Sequence, residues 1–371
     1  MSDTKIRQLL ACGLLSATLF WYQGNAFAQH GPQPDSGTFT NPLLPTGPDP
    51  WVISKNGFYY YMNTVGDNLT IWKTRSLPEL KNAEKKVVWR PPASGPYSHE
   101  IWAPELHFFN GKWYVYFAAD AGTNQSHRLW VIENTSDDPL QGEWTLKGKL
   151  ADPSDKWAID GTVFENAGKL YAAWSGWEGD VNGVQSIYLA ELEDPWTVKG
   201  RRVRISVPEY PWEKMGDRKL DRNPEQNPAH DVDEPVHIDV NEGPEFLQHG
   251  DKIFLIYSAS ACWTDFYELG MLTARASDNL MDPASWKKSP VAVFWQSPQA
   301  HVYGPGHNSF FKSLDGKQDW ILYHANSEPN QGCGAHRAPR AQPFTWRPDG
   351  TPDFGRPVPT GNPIANPSGS Q

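Results

Sequence analysis

The apolar and polar positions repeat one figure along the chain. A short strand-like run leads into a glycine-containing turn, and an aromatic-rich run follows it. NGFYYYMNT begins at Asn56, NGKWYVYFAA at Asn110 and AGKLYAAWSG at Ala167. HGDKIFLIYSAS begins at His249 and DGKQDWILYHAN at Asp315. The runs before these turns are PWVISK, APELHFF, GTVFEN, GPEFLQ and HNSFFKS. Glycine in a tight turn between two such runs marks a β-hairpin. Further strand-like runs follow, among them LTIWKT, HRLWVIE, SIYLAEL and LGMLTARA, and little of the chain has helical period. Five such units predict an all-β chain folded as a single five-bladed β-propeller. A β-sandwich of repeated hairpins is the alternative. The spacing is uneven: the interval between Gly168 and Gly250 holds residues 208–235, rich in proline and charge, expected to form a long loop on the functional face.

The N-terminus departs from this pattern. Lys5 and Arg7 precede an apolar run over residues 9–22, and Ala26-Phe27-Ala28 follows as a small-x-small site. This predicts a signal peptide over residues 1–28, leaving residues 29–371 as one catalytic propeller domain. The product is expected to be secreted or periplasmic, free of the membrane after cleavage, and monomeric. The net charge of -10 argues against nucleic acid as a partner. With Cys12 gone, Cys262 and Cys333 remain, either as one disulfide or as two separate buried thiols. Eighteen Trp and 14 Tyr suit stacking on sugar rings, although most are expected to fill the core.

The candidate chemistry comes from register. Eight residues before four of the turn glycines stand Asp49, Ala103, Asp160 and Glu242. His307 stands nine before Gly316, as expected if SLDGK is one residue longer. Equivalent inner-strand positions of a propeller converge on its axis. Three carboxylates gathered there resist ionising together, so at least one pKa rises. That separates an acid from a base, which glycosidic hydrolysis requires. Taken singly, Asp49 before Pro50 and Asp160 before Gly161 read as turn residues, and His307 as a core histidine. In HIDVNEGPEFL, Glu245 is expected to face away from Glu242 on a period-two strand and to be structural. Asp239 is assigned no catalytic role.

At these residues the chain resembles glycoside hydrolase family 43. The matching segments are NPLLPTGPDPWV, HEIWAPELHFFNGKWYVYFAA, WAIDGTVFE, VNEGPEFL and YGPGHNSFF, from about Asn41 to Gly361. The resemblance implies a five-bladed propeller and single-displacement, inverting hydrolysis. It implies Asp49 as general base, Glu242 as general acid, and Asp160 as the carboxylate that orients the acid and keeps its pKa high. His307 matches a family histidine on the axis below the sugar, which in some members holds calcium through waters. Calcium prefers oxygen ligands, so a lone histidine is a poor site, and no cofactor is required. In CGAHRAPRAQPFTW, Arg337 best matches the substrate-contacting arginine, with Arg340 as the other candidate. Trp102 is the expected aromatic wall, and Arg337 and His307 the other expected substrate contacts.

HEIWAPELHFF, IDGTVFE and HRAPRAQPFTWRPDGTPDFG look most like the exo-acting α-L-arabinofuranosidase branch, which implies L-arabinose release from arabinan or arabinoxylan. Endo-α-1,5-L-arabinanase and β-xylosidase of the same fold are the alternatives within the family. A non-catalytic carbohydrate-binding propeller is the alternative from another class. No HExxH or close histidine pair supports a metal-dependent hydrolase.

Overall fold

Each glycine turn closes the hairpin between the first two strands of a blade. A computed structural model describes residues 37–223 and 235–370. The expected signal peptide lies outside the described residues, as do residues 224–234 of the long loop. Blade 1 comprises Trp51–Lys55, Phe58–Met62, Leu69–Thr74 and Glu84–Trp89 in sequential antiparallel order. Blade 2 comprises His99–Phe109, Lys112–Asp120, Arg128–Asn134 and Thr145–Leu150. Blade 3 begins with Ala158–Asn166, Lys169–Gly176 and Val184–Asp194, and Val203–Ser206 forms its outer edge. Blade 4 comprises Asp239–His249, Lys252–Ala259, Glu268–Arg275 and Lys287–Lys288. Blade 5 comprises Tyr303–Lys312, Asp319–Asn326, Ala338–Trp346 and Pro352–Asp353. This is the expected five-bladed propeller. Helix among the described residues is confined to short 3-10 turns.

The inner strands carry one shared irregularity. Asp49, Ala103, Asp160, Gly243 and His307 all have left-handed backbone, with φ of 55°, 44°, 54°, 53° and 46°. In blades 2 to 5 the pairing with the second strand skips at this point, as at a β-bulge. The position equivalent to Asp49 in blade 4 is therefore Gly243, and Glu242 precedes it by one residue. This corrects the register expected from the turn glycines. Gly57, Gly111 and Gly168 occupy the second position of their turns, because Lys55 pairs with Phe58, Phe109 with Lys112 and Asn166 with Lys169. Gly250 occupies the first position of its turn, because His249 pairs with Lys252. Counting from Gly250 thus lands one residue early.

Neighbouring blades hold these bulges in place. The Ala103 amide donates to Thr64 Oγ1 at 2.7 Å, the Gly243 amide to Asp160 Oδ2 at 3.2 Å and the His307 amide to Ser258 Oγ at 2.7 Å. The Asp49 amide donates to His324 Nδ1 at 3.0 Å. In each case the acceptor comes from the preceding blade, so the bonds pass from blade to blade around the axis.

Every blade is continuous in sequence, so the ring closes without a shared blade. Thr38–Thr40 pairs with Pro363–Ala365. Asn41 clasps Ala341, donating through Nδ2 at 2.9 Å and accepting at Oδ1 at 3.0 Å. The Leu43 and Gly47 amides donate to the Pro339 and Arg337 carbonyls at 2.8 and 2.9 Å. Phe39, Leu43, Tyr59 and Tyr61 bury against Phe311, Trp320 and Leu322 across this seam. Trp113, Trp177 and Trp320 are fully buried, in keeping with the core role expected for most tryptophans.

Residues 208–223 lie against blade 4. Glu213 is fully buried and accepts from Lys288 Nζ at 2.7 Å, Tyr257 Oη at 2.8 Å and Asn241 Nδ2 at 3.0 Å. The Ser206 hydroxyl donates to Asn241 Oδ1 and the Ser175 hydroxyl to its carbonyl. Asn241 is thereby fixed on both sides, immediately before Glu242.

Candidate active site

A pocket of about 790 Å³, its mouth included, opens at the left-handed end of the inner strands. Asp49, Asp160, Glu242, His307 and Arg337 line it, with Trp102, Trp157 and Trp263. The structure brings together six residues singled out in the sequence: Asp49, Trp102, Asp160, Glu242, His307 and Arg337. Arg340 is not among them. It is buried behind blade 5, bonded to Thr360 Oγ1 and Ser327 Oγ at 2.8 and 2.7 Å.

Asp49 is held on all sides. Its Oδ1 accepts from Arg337 Nη1 at 2.9 Å and its Oδ2 from Thr64 Oγ1 at 2.7 Å. His307 Nδ1 and His324 Nδ1 lie 3.4 and 3.6 Å from Oδ1. Burial alone would raise its pKa. The Arg337 guanidinium, with the Thr64 hydroxyl, outweighs burial and holds it well below the usual carboxylate range.

Glu242 has the opposite surroundings. Burial, reinforced by the Asp49 charge, pushes its pKa up to about 7, against the opposing Tyr267 hydroxyl and Arg337. Tyr267 Oη donates to Glu242 Oε1 at 2.9 Å. Asp160 is also held well above the carboxylate range, by burial and then by the charges of Glu242 and Asp49. The pocket thus sets a carboxylate whose pKa is lowered beside two carboxyls whose pKa values are raised.

Beneath this tier the structure departs from the sequence reading. Glu245 is buried, and its carboxyl lies against Glu105 and within electrostatic reach of Asp160. It does not face away from the axis, because the bulge at Gly243-Pro244 resets the alternation. Glu105 occupies the equivalent place in blade 2 and binds His107 Nε2 at 2.8 Å. Burial, then Glu105, pushes the Glu245 pKa well up. Asp239 binds His237 Nε2 at 2.8 Å and does not line the pocket.

His307 lies between the carboxylates, 3.4 Å from Asp49 and 3.9 Å from Asp160, and burial lowers its pKa. Its Nδ1 faces the expected base, Asp49, and the expected orienting carboxyl, Asp160. Among the described residues no group of three or more histidine, cysteine, aspartate or glutamate side chains forms a metal-ligand set. His307 itself offers a nitrogen donor, where calcium prefers oxygen ligands.

Several residues of the site escaped the sequence reading. Thr64, Tyr267 and His324 reach the carboxylates from second strands or loops and carry no motif. The Trp102 indole stacks on His127 at 4.1 Å and donates to Glu100 Oε2 at 2.9 Å, which fixes the wall it presents. Trp157 is stacked on Trp177 at 4.6 Å. Cys262 and Cys333 are joined as a disulfide with Cα atoms 5.1 Å apart, and both line the pocket. This decides between the two readings of the cysteines.

The model of glycosyl hydrolases family 43 matches residues 39–352. The chain belongs to that family. It is 38% identical over 360 residues to an extracellular exo-α-(1→5)-L-arabinofuranosidase of Streptomyces avermitilis, covering 95% of this chain and 70% of that protein. A protein of the same description from Streptomyces chartreusis is 38% identical over 325 residues, covering 86% of this chain and 91% of that one. The crystal structure of an α-L-arabinofuranosidase from Lactobacillus brevis superposes with a TM-score of 0.77 at 36% identity, covering 87% of this chain and 98% of that one. This family 43 chain thus has the fold and pocket its motifs implied.

Proposed function

We propose that this family 43 chain is an inverting, exo-acting α-L-arabinofuranosidase that releases L-arabinose from arabinan or arabinoxylan. The observation that carries the reading is the divided protonation within one pocket. Asp49 is ionised beside Arg337, while Glu242 holds its proton to about pH 7. The relatives named above, described as exo-acting arabinofuranosidases, support the substrate and the mode of attack.

In this reading the terminal furanosyl ring sits against Trp102, with Arg337 and His307 beside its hydroxyls. Asp49 takes a proton from a water molecule, whose oxygen attacks the anomeric carbon. Glu242 gives its proton to the departing glycosidic oxygen as that bond breaks. One proton enters the protein at Asp49 and one leaves at Glu242, and the anomeric configuration inverts. Asp160, whose pKa is raised by burial and its carboxyl neighbours, anchors the residue after Glu242 by accepting the Gly243 amide. The protein acts outside the cytoplasm, as the N-terminal sequence and the extracellular relatives suggest.

The test is a product profile on linear and branched arabinan, with the anomer of the first product read by NMR. Arabinose alone, released with inversion, is the expected outcome. A ladder of oligosaccharides overturns exo action, and retained configuration overturns the roles of Asp49 and Glu242.

A further inference from the structure

The Tyr267 and His324 rings lie parallel, with planes 4° apart and centroids 5.7 Å apart. Both side chains are buried, and neither lines the pocket. Each nevertheless holds one of the two working carboxyl residues. Tyr267 Oη donates to Glu242 Oε1 at 2.9 Å, and His324 Nδ1 accepts the Asp49 amide at 3.0 Å. The stack therefore spans the gap between acid and base through three blades.

We infer that Tyr267 and His324 form one positioning unit, which fixes Glu242 as proton donor and Asp49 as proton acceptor at a set separation. The inference rests on those two roles. Neither ring touches the pocket, so both are positioning residues rather than catalytic ones.

The surroundings of the pair fit that role. Tyr267 fills a seat that exists only because residue 306 is glycine: a Cβ there would lie 2.2 Å from the Tyr267 ring. The Ser258 hydroxyl hydrogen-bonds the Tyr267 oxygen and accepts the His307 amide at 2.7 Å. The Tyr267 oxygen therefore has Ser258 as a second partner, while its proton is donated to Glu242 Oε1. His324 is neutral, since burial and then Arg337 hold its pKa well below the imidazole range. Its Nδ1 is thus free to accept. Among the inner-strand bulges Asp49 is held by this imidazole where Ala103 and His307 are held by hydroxyls and Gly243 by a carboxyl. A left-handed backbone strains a non-glycine residue, and the His324 bond keeps the base in that conformation.

Two variants separate the two halves. Tyr267→Phe keeps the ring and removes only the donor to Glu242. The charged and titratable groups facing Glu242 are Asp49, Asp160, Arg337 and Tyr267, with His307 behind them. Because the Tyr267 hydroxyl favours ionised Glu242, its loss moves the alkaline limb of kcat/KM to higher pH by about a unit. The variant also loses roughly tenfold in kcat on poor leaving groups and less on activated aryl arabinofuranosides. His324→Phe keeps the ring and removes the acceptor. Its kcat falls roughly tenfold on every substrate, whatever the leaving group, and His324→Asn, which restores an acceptor, recovers part of the loss. An unmoved alkaline limb in Tyr267→Phe, or wild-type kcat in a folded His324→Phe, overturns the inference. If His324→Phe does not fold, the comparison of His324→Asn with His324→Leu carries that arm. Glu242→Ala and Asp49→Asn run alongside: if they retain full activity, the roles themselves fail rather than the positioning unit.

Discussion

Arg337 Nη1 lies 2.9 Å from Asp49 Oδ1, although 288 residues separate the two in sequence. Arg337 follows the disulfide loop of blade 5 and Asp49 opens blade 1, so the pair spans the seam where the ring closes. The guanidinium is the largest influence keeping the base ionised against burial.

Arg337→Met removes that charge and leaves a side chain of similar length. The Asp49 pKa then rises, and the acidic limb of kcat/KM moves to higher pH. Leaving a buried carboxylate without its partner costs on the order of 3–5 kcal/mol. The pH–rate profile and thermal unfolding at pH 7 check both parts.

Thr64→Val keeps the shape of the side chain and deletes two hydrogen bonds. The hydroxyl donates to Asp49 Oδ2 and accepts the Ala103 amide, each at 2.7 Å. An expected loss of about 1–3 kcal/mol appears in kcat/KM, with the acidic limb again shifted upward.

The buried carboxyls set the pH dependence of stability. Asp160 and Glu245 hold their protons more tightly folded than unfolded, since their folded pKa values are raised. Their stabilising contribution is complete below about pH 4, the unfolded value, and is lost as pH rises through the folded values. Asp49 behaves in reverse: its contribution is present above about pH 4 and is lost as pH falls toward its depressed folded value. Asp160→Asn imitates the protonated form, so its melting temperature gains on the wild type as pH rises from 5 to 9. A constant difference across that range contradicts the raised Asp160 pKa.

The Cys262–Cys333 bridge joins the loop after the second strand of blade 4 to the loop after the second strand of blade 5. Trp263 follows one cysteine directly, and Arg337 lies shortly after the other. Cys262→Ala with Cys333→Ala is expected to cost about 2–4 kcal/mol of stability. The double variant is expected to keep its β-sheet circular dichroism while KM rises several-fold, because a wall of the pocket loosens.

Much of this was legible in the sequence, for a physical reason. Hairpins are local, so the turns at Asn56-Gly57 and Asn110-Gly111 declare their strands, and repetition declares the blades. Asp49 and Asp160 could be placed because they stand at one common offset from their turn glycines, and His307 because it stands one residue further from its own. Glu242 was found by a count that is off by one, since the blade 4 turn carries its glycine in the first position. The bulges escaped because aspartate, alanine and histidine give no sign of left-handed backbone. Glu245 was turned the wrong way for that reason. His324 and Thr64 were missed because their partners come from other blades, and Tyr267 because it reaches Glu242 of its own blade from a loop 25 residues on; neither kind of pairing leaves a local pattern. The disulfide needed the distance between two loops, which a pair of cysteines does not supply.

Ring closure also has a consequence in time. Blade 5 is the last blade to be synthesised, and it supplies both Arg337 and His324 to Asp49. Until the chain end pairs with Thr38–Thr40 and Ala341 clasps Asn41, the base has neither its counter-charge nor its amide acceptor. A chain that stalls or opens at this seam carries every blade 1 to 4 residue of the pocket but lacks Arg337 and His324 beside Asp49. The pocket is therefore tied to circular completion: the buried clasp of Asn41 on Ala341 and the Arg337–Asp49 pair lie on the same seam.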